Sequence, residues 1–165
     1  ASHLSSLDPY SDGPEVSWAG PASTPMWLHI AREYTERWHH QQQIRQATGT
    51  KLLTGKEMFA PVLATFARAF PRTYEGVSAS DGCTVKVAIL GDAGTSWLLV
   101  FHGSAWTLYQ DDILCSPNSE ITIDQEGAWR LFTKSITTSE VLRRITFSGN
   151  MKLAAKVLDT VAVIA

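Results

Sequence analysis

Near Gly82 the chain changes its period, and that change limits it to a structure with helices first and a sheet after. Before this point apolar residues recur at helical spacing. After it they fall into short runs rich in β-branched and aromatic residues, divided by turn residues. A helical pattern is not satisfied on a pleated surface, nor an alternating one on a helix. The expected class is therefore α+β, with the two kinds of element packed as layers.

The helical half starts from an unbroken segment. Met26 to Thr48 contains no Gly or Pro; Thr24-Pro25 provides a start signal and Gly49 a stop. At about 100° per residue, Trp27, Ile30, Ala31, Tyr34 and Trp38 gather on one side. His29, Glu33, Glu36, His40 and Gln43 lie opposite. Thr54-Gly55-Lys56-Glu57 reads as a capping box opening a second helix. Its buried face would be Phe59, Val62, Leu63, Phe66 and Phe70, with Pro61 near its start and Pro71 at its end. A joint this short favours an antiparallel helix pair.

In the second half, Thr84–Leu90, Ser96–His102, Ala105–Gln110 and Glu120–Asp124 read as strands of an antiparallel meander. Helices are expected over Asp124–Thr133 and Thr137–Arg144, then a strand at Ile145–Ser148. A closing helix is expected over Met151–Val163, with Leu153, Ala154, Val157, Leu158 and Val161 facing inward. Residues 1–25, with Asp12-Gly13-Pro14 and Ala19-Gly20-Pro21 among many serines, read as irregular connecting chain. The segments are thus 1–25 as a connection, 26–75 as helices and 83–165 as a sheet-containing domain.

Composition narrows the function classes. The 165 residues carry a formal net charge of −2, with no run of Lys or Arg, so nucleic acid and anionic membrane surfaces are not expected partners. The longest uncharged stretch, Ala93–Gln110, is broken by His102-Gly103-Ser104 and reads as two strands rather than a bilayer span. No basic and apolar leader is visible, and the expected location is cytoplasmic. Cys83 and Cys115 have neither metal-ligand spacing nor a disulfide framework, and read as unpaired thiols without a nucleophile's partner base, the alternative being a single bridge between them. Trp97, Trp106 and Trp129 read as core, the alternative being the lining of a ligand pocket.

One pair stands out on the polar face of the first helix. Glu36 and His40 are four residues apart, so both side chains can reach a single ion. The bland alternative is a solvated helix face, where such pairs are common.

Two stretches carry a resemblance. Arg32 to Arg45, running on to Ala47-Thr48-Gly49, resembles the last helix of the DinB-like bundle in the mycothiol-dependent maleylpyruvate isomerase family. Val16-Ser17-Trp18-Ala19-Gly20-Pro21 resembles the loop that enters that helix. Residues 83–165 resemble the family's C-terminal domain, which is similar to sterol carrier protein 2, through Trp129-Arg130-Leu131-Phe132, Thr138 to Leu142 and Phe147 to Ala154. The resemblance implies a helical remnant of the bundle followed by a sterol-carrier-like mixed sheet with flanking helices.

It also implies that Glu36 and His40 bind a divalent metal, zinc by donor type, which holds mycothiol as a thiolate. The reaction implied is isomerisation of a small-molecule substrate by reversible thiolate addition. The departure is a third metal ligand, a histidine that the family draws from an earlier helix and that would precede residue 1. His29 and His39 do not replace it by position. The resemblance therefore implies an N-terminally incomplete isomerase-like chain, in which self-association or a missing N-terminal piece completes the site. No catalytic or thiol-binding residue is assignable from the motifs. The alternative function is a non-catalytic module that binds an apolar ligand or a protein partner.

Overall fold

A computed structural model describes residues 8–19, 23–110 and 116–162. Two short strands, β1 (Asp12–Glu15) and β2 (Ser23–Pro25), pair antiparallel within the segment expected to be irregular. They are clipped to the first helix by His29, whose Nε2 lies 2.9 Å from the Pro14 carbonyl oxygen and 3.0 Å from Thr24 Oγ1. Gly13 is required there, since a Cβ at that position would sit 2.6 Å from the His29 ring. A turn-rich sequence hid the pairing because two such short strands leave almost no alternating signal.

Helix α1 (Met26–Ala47) follows directly, then α2 (Lys56–Ala67) and the single turn α3 (Phe70–Thr73). The expected Thr54–Glu57 capping box does not form: α2 starts one residue later, from Gly55, with no side-chain cap. α2 nevertheless buries the expected face, with Phe59, Val62, Leu63 and Phe66 fully enclosed.

The sheet holds five strands in the order β5-β4-β3-β6-β7: β3 (Thr84–Leu90), β4 (Ser96–His102), β5 (Ala105–Gln110), β6 (Ser119–Asp124) and β7 (Ile145–Gly149). β3, β4 and β5 form the expected meander. β6 departs from it, pairing parallel to β3 in the centre, with Val85 opposite Ser119 and Ile89 opposite Ile123. The sheet is therefore mixed rather than purely antiparallel.

Between β6 and β7 lie α4 (Gln125–Phe132), α5 (Thr138–Val141) and a 3₁₀ turn (Leu142–Arg144). Asp124 caps α4 by accepting from the backbone N–H groups of Glu126 and Gly127. α5 opens on a capping box between Thr137 and Glu140, and its hydrogen bonds hold the Glu140 carboxyl below the usual carboxylate range. The last helix is shorter than expected: α6 (Met151–Ala155) passes into a 3₁₀ turn (Lys156–Asp159). Ala154, Val157 and Leu158 point inward, but Val161 lies beyond the helix and is exposed.

Cross-strand register puts Val85, Val87, Ile89, Trp97, Leu99, Phe101, Trp106, Ile121 and Ile123 on one face of the sheet. The helices pack their apolar residues against this face. On the other face Thr107, Tyr109, Thr146 and Ser148 are exposed, while Leu98 is buried outside the main core.

Helices and sheet share one core. Trp38 stacks on Phe59 and meets Trp129 edge-on; Phe70 packs edge-on against both Trp97 of the sheet and Phe132 of α4. The segment 26–75, expected as the remnant of a separate bundle, thus forms one hydrophobic cluster with the sheet domain. Trp97, Trp106 and Trp129 fill this core, and the layer between helices and sheet is occupied by aromatic rings.

Candidate functional site

The face that α1 buries is turned from the one its hydropathy suggests. Leu28, Thr35, Trp38, His39 and Gln42 are inside, whereas Tyr34 is exposed. The cause is hydrogen bonding to the chain that follows the helix. Gln42, fully buried, donates from Nε2 to the Leu53 carbonyl (3.2 Å) and accepts from the Leu53 N–H (3.1 Å). Trp38 Nε1 donates to the same carbonyl at 2.9 Å, and Arg45 Nη1 donates to the Lys51 carbonyl at 2.7 Å. Tyr34 Oη donates to the Met58 carbonyl at 2.8 Å. Four α1 side chains therefore fix the backbone from Lys51 to Met58, and the buried Gln42 amide is tolerated because both its nitrogen and its oxygen are paired.

The fixed segment walls a groove of about 460 Å³ lined by Arg45, Lys51–Lys56, Glu57 and Met58. Leu52, Leu53 and Met58 supply the apolar surface, and Met58 is 45% exposed. Arg45, Lys51 and Lys56 give the rim three positive charges against the single negative charge of Glu57. A concave apolar surface with a few charged groups at its mouth suits a small ligand that is apolar along its length. A smaller groove of about 310 Å³ runs beside α6, with Val77 and Leu153 flanked by Lys152 and Lys156.

The residues expected to bind metal lie elsewhere on α1. Glu36 is half-buried and lines an acidic cleft of about 460 Å³ with Glu15, Val16, Ser17, Trp18, Arg32 and Glu33. His40 is exposed, with Nδ1 3.0 Å from Gln43 Oε1. Among the described residues no group of three or more His, Cys, Asp or Glu side chains is placed to hold a metal ion.

His39, one residue earlier, is the buried histidine. It is 2% exposed, lies edge-on to Trp129, and its Nε2 finds no hydrogen-bond partner among the described residues. Burial, with a lesser contribution from neighbouring His40, lowers its pKa below the usual histidine value and keeps the ring neutral. The Cys83 thiol is free and half-buried, and Cys115 lies outside the described residues. No helix among the described residues is long and apolar enough to cross a membrane.

Comparison with known proteins adds a fold likeness only. No protein-family model and no curated protein matches the chain. Several solved structures do. Sterol carrier protein 2 like 2 of Aedes aegypti is 18% identical over 60% of this chain and 95% of its own, with a TM-score of 0.45. The sterol carrier protein domain 2 of Helicoverpa armigera is 15% identical over 61% of this chain and 84% of its own, at a TM-score of 0.43. Sterol carrier protein 2 of Yarrowia lipolytica, in its apo form, is 11% identical over 85% of this chain and 92% of its own, at 0.37. At this level of identity and superposition, ligand and activity are not transferable, and function rests on the grooves.

The groove had one legible trace in the sequence. Lys51-Leu52-Leu53 sits between Gly49 and Gly55, so two leucines occupy a joint where turn residues are expected. Read as a short connection between helices, these leucines assign no role; the groove exists only once α1 holds their backbone.

Proposed function

We propose that the chain is a non-catalytic binding module for a small apolar or amphiphilic molecule, held in the groove between the end of α1 and the start of α2. The observation that carries this reading is the joint placement of Leu52, Leu53 and Met58 in one concavity whose backbone is immobilised by Trp38, Gln42 and Arg45. An organised groove binds with less ordering cost than a loop that must first be fixed. The space between sheet and helices is a poorer host, because entry there would displace buried rings such as Phe70 and Trp97.

The test is a titration of the full chain with a fluorescent fatty-acid analogue. Saturable one-to-one binding is expected, weakened roughly tenfold, about 1.4 kcal/mol, by Met58→Asp, which puts a carboxylate on the apolar wall. Unaltered circular dichroism would establish that this variant is folded. No saturable binding, or binding indifferent to Met58→Asp, would refute the reading. An isomerase-like role, with zinc on Glu36 and His40 and mycothiol as its thiol, predicts instead stoichiometric metal lost in both Glu36→Ala and His40→Ala. Elemental analysis of the three proteins separates the two readings.

A further inference from the structure

The sheet ends on one side in an uncharged strand, β5, whose outer edge pairs with no other strand among the described residues. Phe101 of β4 spends both its backbone groups on the β3 side: its N–H donates to the Cys83 carbonyl at 2.9 Å and its carbonyl accepts from the Gly82 N–H at 2.8 Å. Its partner across β5 is Trp106. In an antiparallel ladder, a pair that does not exchange hydrogen bonds turns its backbone groups away from each other. Trp106 therefore aims its N–H and carbonyl outward, and by alternation so do Leu108 and Gln110.

Natural sheets blunt such an edge with charge, proline or a bulge. β5, which reads Ala-Trp-Thr-Leu-Tyr-Gln, has none of these. The opposite edge differs. β7 ends at Gly149 with φ +69, where the chain turns into α6.

We infer that the outer edge of β5 pairs antiparallel with the β5 edge of a second copy of this chain, joining two five-stranded sheets into one. A twofold axis through Leu108 satisfies the outward groups in register. Leu108 meets the second copy's Leu108, and Trp106 meets its Gln110. On the exposed face Thr107 meets the second copy's Tyr109, a β-branched and aromatic pair of the kind that stabilises sheets. No charge lies anywhere in the six residues, so the symmetric pairing brings no like charges together. A neutral strand that is complementary to itself at this register favours a second copy over a charged partner.

The experiment is sedimentation of the full chain over a range from micromolar to millimolar, with hydrogen exchange at both ends of the range. The mass is expected to rise from 18.1 kDa toward twice that value. The amides of Trp106, Leu108 and Gln110 should slow with concentration, while those of Thr107 and Tyr109, already bonded to β4, should not change. Thr107→Lys, which sets a cation on the exposed side of the edge, should shift dimerisation at least tenfold to higher concentration. Gln110→Pro removes one outward donor and should do the same, with the circular dichroism of both variants unchanged. A monomer at every concentration, a dimer indifferent to both substitutions, or protection that develops elsewhere instead would overturn the inference.

Discussion

Replacing Gln42 by Glu alters one atom of a side chain that is wholly buried, and it tests how the groove is held. The carboxylate still accepts from the Leu53 N–H, but it cannot donate to the Leu53 carbonyl, which it then faces oxygen to oxygen. Burial and this repulsion both favour the protonated form, raising the pKa of the new Glu above its value in the unfolded chain. Taking that value as about 4.3, forcing the group to remain protonated at pH 7 costs at most about 3.7 kcal/mol, and about 1 kcal/mol at pH 5. The sign follows from the raised pKa: the deficit is small at acid pH and grows as pH rises through the unfolded value. Urea unfolding of variant and wild type, paired at each pH, measures it directly. A deficit below about 1 kcal/mol at pH 7, or one that does not shrink on acidification, would show that the Gln42–Leu53 pair does not clamp the segment. Binding of the fatty-acid analogue should fall with it, since Leu52 and Leu53 would lose their fixed backbone.

His39 should make the wild type acid-sensitive in the opposite sense. Burial holds its folded pKa below that of an ordinary histidine, about 6.5, so its contribution is complete above that pH and is lost as pH falls toward and through the folded value. His39→Gln should flatten the fall in urea midpoint between pH 7.5 and pH 5. An unchanged slope would place the titrating group elsewhere. Asp124→Ala removes the cap of α4 together with the 3.0 Å ion pair to Arg144, and should cost about 1–2 kcal/mol in thermal unfolding, of which Asp124→Asn recovers part. Equal losses in the two variants would contradict capping as the main contribution.

What could be read in advance was whatever repeats. The period of α1, the period-two runs of β3 to β7 and the start of α4 at Asp124 are local signals, and the structure places all of them within a residue or two. The phase of α1 was not legible. Thr35, His39 and Gln42 lie inside although none is apolar, and Gln42 is buried because its two bonds to Leu53 replace water. That exchange depends on a loop eleven residues further along, which no helical period records. Strand direction was equally hidden, since alternation in β6 is the same whether it pairs parallel or antiparallel with β3. The groove was missed for a related reason: Leu52 and Leu53 acquire a function only through side chains that hold their backbone from α1.

The parallel seam between β3 and β6 has a consequence for how the chain folds. The β4–β5 turn at Gly103 and Ser104 closes a short loop, so the three-stranded meander can assemble from neighbours in sequence. Val87 meets Ile121 only after everything between them has been made or looped out. Contacts so distant in sequence carry a closure cost before they return any stabilisation, and they slow folding. The middle of the finished sheet should therefore be its last part to close, with β6 and β7 docking onto a meander already formed. In refolding experiments Ile121→Val should mainly speed unfolding, whereas a substitution at the Gly103 turn should slow refolding.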